Sequence, residues 1–160
     1  DHFDAASMAL VLCFVPEPAR GGAEMRRVVR PGGAVSAYVW DFTSGGFPYH
    51  VIQEEMRALG SSPPMPPRPE ISSEAALRAL WSDAGLRDVA TRRIAVQRTY
   101  PSFEEFWSLS MRSASMAAAT SGMSPEQRVE LERRVRARLP VSADGTLTYG
   151  AHASAVKGGV

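Results

Sequence analysis

The chain has 160 residues, of which 44% are hydrophobic and 22% are charged, and its formal net charge at pH 7 is +1. This composition is typical of a single domain with an apolar core, and the near-zero charge argues against a nucleic-acid partner, which would require a basic surface. The single cysteine, Cys13, cannot form an internal disulfide, so we expect a reducing, cytoplasmic compartment and a buried, unreactive thiol. No apolar run reaches the length of a membrane span, and no membrane partner is expected.

The first part of the chain predicts a strand, a helix and a second strand. Residues 5–12 form an apolar run that predicts a buried strand. The prolines at 16 and 18 predict a helix start. Gly21-Gly22 should make this helix start late or fray, because each glycine costs roughly 1 kcal/mol relative to alanine. The helix should stop at residues 30–33, and residues 34–40 should form a second buried strand, parallel to the first.

A loop rich in aromatic residues and glycine follows Asp41. It leaves the carboxyl end of the second strand, where doubly wound sheets bind ligands. Four residues in or beside it are therefore candidates for a substrate pocket: Trp40, Phe47, Tyr49 and His50. For His50, a surface histidine at the start of the next helix, residues 51–59, remains the simpler interpretation.

The middle of the chain predicts a connector, a helix and a strand. Residues 61–70 are proline-rich, which favours a stiff connector over a partner-binding motif. A helix should follow, capped by Ser72 or Ser73, with Trp81 on its core face and a stop at Gly85. Residues 89–100 alternate in a way that predicts a strand.

Residues 101–140 predict a helical insertion between the last two strands. We expect two helices here, capped by Ser102 and Ser124, with mobile chain at residues 110–123. Phe103 and Trp107 join the candidates for the substrate pocket. Residues 146–156 then predict the last strand, with His152 exposed on its polar side.

Several segments of the sequence resemble a known enzyme family. Phe3-Asp4 at a strand start, the segment LCFVPEP at residues 12–18, EMRRVVRPGG at residues 24–33, and a strand ending in Trp40-Asp41 resemble the second half of a class I S-adenosylmethionine-dependent methyltransferase. The similarity is greatest to the branch that includes the ubiquinone and menaquinone methyltransferases. The segment at residues 24–33 is the most specific part, because it specifies a helix, its stop and the next strand together.

The resemblance implies an α/β fold: strands four to seven of the Rossmann-like class I methyltransferase sheet, with the last strand antiparallel. It implies S-adenosyl-L-methionine as cofactor, beside the end of the first strand at Met8, Ala9 and Leu10, although these residues could equally pack the core. The family's cofactor-binding glycine-rich loop has no counterpart, since the sequence contains no G-x-G-x-G. We therefore expect residues 1–160 to be the C-terminal part of one larger methyltransferase domain.

Methyl transfer needs proximity and alignment, and a base where the acceptor must lose a proton. The histidines His2, His50 and His152 show no metal-ligand spacing, so we expect no metal, and no catalytic residue is identified. The aromatic candidates predict a pocket for a small, partly apolar methyl acceptor. The alternative is a non-catalytic half-fold that forms a homodimer through the unpaired apolar edge at residues 5–10.

Overall fold

The computed structural model describes residues 2–160. The strands found there are β1 Phe3–Ala9, β2 Val29–Trp40, β3 Arg87–Tyr100 and β4 Leu147–Gly159. The α-helices are α1 Pro18–Val28, α2 His50–Ala58, α3 Glu74–Asp83, α4 Phe103–Met111, α5 Ala114–Thr120 and α6 Pro125–Arg138. Two short 3-10 helices cover Leu12–Phe14 and Pro69–Ser72.

The strands form a four-stranded sheet in the order β1-β2-β4-β3. β1 and β2 are parallel, with Ala5 opposite Ala34 and Ala9 opposite Tyr38. β4 runs antiparallel to β2, with Trp40 opposite Ala153. The parallel first pair and the antiparallel last strand are thus confirmed, and the parallel pair is joined by the helical crossover that parallel strands require.

The chain between α1 and β2 differs from the prediction. The helix ends at Val28, and β2 begins at once, with Val29 already opposite Phe3. The turn predicted at residues 30–33 is a bulge inside β2, where Gly32 has φ +81. Gly33 is required by close packing, because a Cβ there would lie 2.6 Å from the carbonyl oxygen of Asp4.

The predicted late start of α1 is wrong, since the helix begins at Pro18 and continues through both glycines. Gly22 is buried against α3, and a Cβ there would lie 3.7 Å from the Cβ of Ala84. The packing of α1 against α3 offsets the weak helix propensity of glycine, as tertiary contacts commonly do.

The first strand is also more exposed than predicted. Among the described residues β1 pairs only with β2, so it is an edge strand. Ala6 and Met8 pack against the core, whereas the alternate residues are exposed, with Phe3 at 57%. An apolar run predicts a strand but does not tell whether both of its faces are covered.

The chain divides into two compact units, and two of the four boundaries between them fall inside β3 and β4. The first comprises residues 2–47, Pro66–Ala95 and His152–Val160. Its core contains the sheet residues Val35, Ala37, Val39 and Val156, the 3-10 residues Leu12 and Cys13, and Leu77 and Trp81 of α3. Trp81 is fully buried and its Nε1 donates to the carbonyl oxygen of Val35 at 3.1 Å, which confirms its predicted core position.

The second unit comprises Pro48–Met65 and Val96–Ala151. It contains three helices in the predicted insertion, α4, α5 and α6, where we expected two. The extra helix, α5, is capped by Ser113, which accepts from the amide of Met116 at 3.4 Å. The predicted caps at Ser102 and Ser124 are confirmed, and Ser124 forms a complete capping box with Gln127.

Within residues 2–160, none of the helices combines the length and the apolar character that a membrane span requires.

Candidate functional site

The end of β1 carries the three residues predicted to line a cofactor site. Met8 is partly buried against the core, whereas Ala9 and Leu10 are exposed. Leu10 has φ +58, a left-handed conformation that costs a non-glycine residue about 1 kcal/mol or more. Its amide donates to the carbonyl oxygen of Tyr38 at 2.8 Å, so β2 holds this strained turn in place.

Because β1 and β2 are parallel, their carboxyl ends lie at the same edge of the sheet. Ala9 is opposite Tyr38, and β2 continues to the half-buried Trp40. The loop that follows, residues 41–47, begins at this edge. This is the edge at which open α/β sheets bind their ligands.

Asp41 organises the loop. It is only 5% exposed, and its Oδ1 accepts from the amide of Thr43 (2.9 Å), the hydroxyl of Thr43 (2.7 Å) and the amide of Ser44 (2.9 Å). Its Oδ2 accepts a short hydrogen bond from the Ser44 hydroxyl. Burial raises the pKa of Asp41, but the hydrogen bonds from Ser44 and Thr43 outweigh burial and lower the pKa to about 2. The carboxyl group is therefore an anion at neutral pH.

His152 on β4 contacts the same carboxylate, which corrects the prediction that this side chain is exposed. Its Nε2 lies 3.4 Å from Asp41 Oδ2 and 3.3 Å from Ser44 Oγ, and its side chain is 18% exposed. Backbone bonds fix the arrangement: the amide of His152 donates to the carbonyl of Gly46, and the amide of Asp41 donates to the carbonyl of His152. Only glycine fits at position 46, because a Cβ would lie 2.7 Å from Cδ2 of the imidazole.

Sequence reasoning missed Asp41, Ser44 and His152 as a group. A local signal existed for part of it, since an Asp followed two and three residues later by Thr and Ser is typical of an Asx turn. No local signal links the loop to His152, because 108 residues separate it from Ser44.

The other candidates of the first unit are Trp40 and Phe47. Trp40 ends β2, and Phe47 packs against Phe42 with ring centroids 4.8 Å apart and planes inclined by 30°. Both are partly buried. The loop thus presents aromatic surface beside the Asp41 cluster.

The remaining substrate candidates belong to the second unit. Tyr49 precedes α2, and His50 begins it, with its Nε2 3.1 Å from Glu54. Phe103 is buried and stacks on Trp107, with the centroids 6.0 Å apart. Trp107 also borders a cavity of about 470 Å³ that includes residues of α4, α5 and α6. The roles assigned to these residues remain predictions.

Cys13 lies in the core of the first unit. The thiol is buried in the first core, and burial, with a smaller contribution from Glu70, raises the pKa of Cys13 to about 11. A thiol that stays protonated at neutral pH is a poor nucleophile. This confirms the interpretation of Cys13 as a small apolar core residue.

The comparisons with known proteins find a family model that matches the first elements. Residues 1–37 match the model of the methyltransferase domain family, a stretch that includes β1, α1 and most of β2. A comparison with curated proteins finds no match.

Solved structures show the fold. A candidate type II methyltransferase of Anaeromyxobacter dehalogenans matches 99% of this chain with a TM-score of 0.57 at 16% identity. A candidate methyltransferase of Bacillus halodurans matches 98% of the chain with a TM-score of 0.52 at 15% identity. The chain spans 65% and 63% of these two proteins.

The chain therefore has the Rossmann-like α/β fold of the class I methyltransferases, as the sequence predicted. Within this fold, residues 1–37 are the stretch similar to the methyltransferase domain family.

Proposed function

We propose that the chain is part of an S-adenosylmethionine-dependent methyltransferase that acts on a small, partly apolar acceptor. It contributes the acceptor pocket and one wall of the cofactor site. The observation that carries the proposal is the position of the family match. The matched residues form the parallel β1–α1–β2 unit, and the carboxyl edge of that unit bears the strained Leu10 and the Asp41 loop.

The residues at the end of β1 fit one side of the cofactor. Ala9 and Leu10 offer exposed apolar surface at the carboxyl end of β1. This surface suits the apolar ring of a ligand. The carboxylate of Asp41 accepts hydrogen bonds from the amides of its own loop. It therefore does not fit the role of an acidic residue that binds the ribose of the cofactor.

S-adenosylmethionine, when bound, supplies an electrophilic methyl group on a sulfonium. This chain then has to hold the acceptor in line, exclude water and accept any proton that the acceptor loses. We assign the exclusion of water to the aromatic residues Trp40 and Phe47 of the first unit, and a contribution to acceptor binding to Tyr49, His50, Phe103 and Trp107 of the second. The single cysteine, protonated and buried, supports a reducing cytoplasm as the place of action.

The exposure of β1 favours a second candidate function, a non-catalytic module that forms a homodimer. Phe3 is 57% exposed and lies on an edge strand, and such edges pair with further strands. In this alternative the chain associates through β1 and binds no cofactor.

The test is calorimetric titration of S-adenosylhomocysteine into the polypeptide as its gene encodes it. We expect binding, and we expect Ala9→Trp to weaken it at least tenfold by filling the space beside the carboxyl end of β1. Ala5→Trp is the matched control on the same face of the same strand, and its affinity should stay within twofold. The 160-residue chain alone should bind weakly or not at all, because it contains no G-x-G-x-G loop.

Absence of binding by the encoded polypeptide, together with a dimer in sedimentation that Phe3→Lys dissociates, would favour the interaction module instead. Equal affinities of the two tryptophan variants would remove the end of β1 from the cofactor site.

A further inference from the structure

The helical insertion of the second unit contains a cavity of about 470 Å³ that is bordered by residues of α4, α5 and α6. All of its lining residues belong to this unit. Small-molecule sites in proteins typically have volumes of about 300–1,000 Å³. The cavity is therefore large enough for a ligand, and its walls come from the second unit alone.

Apolar side chains form much of the wall. Trp107 and Met111 of α4 are partly buried there, and Leu131 of α6 is buried. Val129 also borders the cavity and is 69% exposed, so a ligand bound here would remove apolar surface from water. The walls therefore favour a ligand with an apolar body.

The two hydroxyl groups beside the cavity donate their protons to carbonyl groups of α5. Thr120 Oγ1 donates to the carbonyl oxygen of Met116 at 2.9 Å, and Ser121 Oγ donates to that of Ala118 at 2.7 Å. A hydroxyl has one proton, so these two groups can accept from a ligand but cannot donate to one. A ligand with an acceptor group therefore has to be bound by a charged side chain.

Arg128 and Glu132 are the charged residues that border the cavity, and they differ in their partners. Glu132 lies 3.4 Å from Arg136. Arg128 donates to the carbonyl oxygen of Ser121 at 3.2 Å, and no carboxylate among residues 2–160 forms an ion pair with it. The other arginines of α6 each form an ion pair: Arg133, Arg134, Arg136 and Arg138.

The guanidinium group of Arg128 can hold a carboxylate. It has five N–H donors, and the carbonyl of Ser121 occupies one of them. The remaining donors allow the two parallel hydrogen bonds with which arginine binds a carboxylate. A cationic ligand is disfavoured, because Arg128 would repel it and Glu132 is already paired.

We propose that this cavity binds a small apolar carboxylate, with its anionic end on Arg128 and its apolar body against Trp107 and Leu131. The inference goes beyond the proposed function. It concerns binding in the second unit alone, and it holds whether or not the chain transfers methyl groups.

Two probes of nearly the same shape separate charge from packing: 2-naphthoate, a carboxylate, and 2-naphthamide, its neutral analogue. Calorimetric titration into the encoded polypeptide should show at least tenfold tighter binding of 2-naphthoate. In proton–nitrogen NMR spectra, 2-naphthoate should shift the indole signal of Trp107. The signal of Trp81, which is fully buried in the core of the first unit, should stay unchanged.

Arg128→Gln keeps an N–H donor but removes the charge. We expect it to bind 2-naphthoate at least tenfold more weakly, because a charge-assisted hydrogen bond is lost, and to bind 2-naphthamide within twofold of the unaltered protein. The retained affinity for the amide shows that the cavity is intact.

Arg133→Gln is the matched control. It removes the same charge from the same helix, but Arg133 is exposed and does not border the cavity. Both probes should bind this variant within twofold of the unaltered protein. Ala117→Trp, which places an indole in the cavity, should weaken the binding of both probes at least tenfold.

Several outcomes would overturn the proposal: no binding of either probe, equal affinities for the two probes, or unchanged binding of 2-naphthoate by Arg128→Gln. A parallel loss of both probes in that variant would make Arg128 a structural part of the cavity. Binding that leaves the Trp107 signal unmoved would place the ligand elsewhere.

A dimer in sedimentation that Val129→Glu dissociates and 2-naphthoate does not would make this face an interface between copies and would also overturn the proposal. The titration of S-adenosylhomocysteine decides the methyltransferase proposal separately, so either proposal can fail while the other stands.

Discussion

Replacement of Asp41 by asparagine tests the central interaction of the site. The carboxyl group has a pKa of about 2 in the folded protein against an ordinary value of 3.8. That difference corresponds to about 2.5 kcal/mol of unfolding free energy at neutral pH. An asparagine keeps one acceptor oxygen for the loop amides but places an NH₂ group opposite the Ser44 hydroxyl or the His152 ring. We therefore expect Asp41→Asn to lose about 1–2.5 kcal/mol at pH 7.

The pH dependence has a definite sign. Because the folded pKa is lowered, the stabilisation is complete above the unfolded pKa near 4 and is lost as the pH falls towards 2. The difference in stability between the unaltered protein and Asp41→Asn should thus be constant from pH 7 to pH 5 and shrink below pH 4. Urea denaturation followed by tryptophan fluorescence at pH 7, 5, 3.5 and 2.5 measures it.

Asp144 provides the control, since its Oδ1 also accepts from the amide and hydroxyl of a threonine two residues on, but on an exposed turn. Asp144→Asn should cost less than Asp41→Asn at every pH. The reasoning is refuted if Asp41→Asn is as stable as the unaltered protein at pH 7, or if its deficit at pH 7 persists in full at pH 2.5.

Three further substitutions probe packing and capping, each followed by urea denaturation. Gly46→Ala should destabilise the protein by about 1–3 kcal/mol, because the added methyl group collides with the His152 ring. The control Gly122→Ala has open space around it and should change stability by less than about 0.5 kcal/mol. Equal effects of the two substitutions would contradict the collision. Trp81→Phe should cost about 1–3 kcal/mol, since it leaves a cavity and removes the hydrogen bond to the Val35 carbonyl, and a neutral result would mean that the site repacks. Ser124→Ala should cost about 1 kcal/mol by removing the cap of α6, with threonine at this position as the conservative variant that restores most of the loss.

Local sequence patterns were sufficient for most of the elements. The prolines and the apolar runs predicted β1, α1 and β2 in order, and the spacing of apolar residues placed Trp81 in the core. Serine caps gave the starts of α4 and α6 because a cap depends on residues only three positions away. Residues 110–123 are rich in serine, alanine and methionine, and their weaker pattern did not predict α5. Met116 of this helix is buried by contacts with neighbouring elements, which the local pattern does not contain.

The candidate site was predictable only in its position. The carboxyl ends of two parallel strands follow from the order of the elements, and this placed Ala9, Leu10 and Trp40 at one edge of the sheet. The left-handed Leu10 was not predictable, since no residue type at that position indicates positive φ and the conformation is held by the carbonyl of Tyr38 on another strand.

The sequence by itself determined the similarity of residues 1–37 to the methyltransferase domain family, the parallel βαβ unit and the burial of Cys13, because each depends on the identity and spacing of neighbouring residues. Only the tertiary structure decided that β1 lies at the edge of the sheet formed by residues 2–160, and that His152 meets Asp41 and Ser44. Both depend on which strands become neighbours in the sheet. Antiparallel pairing of β4 with β2 brings residue 152 next to residue 41. A local sequence pattern cannot predict a contact between residues more than a hundred positions apart.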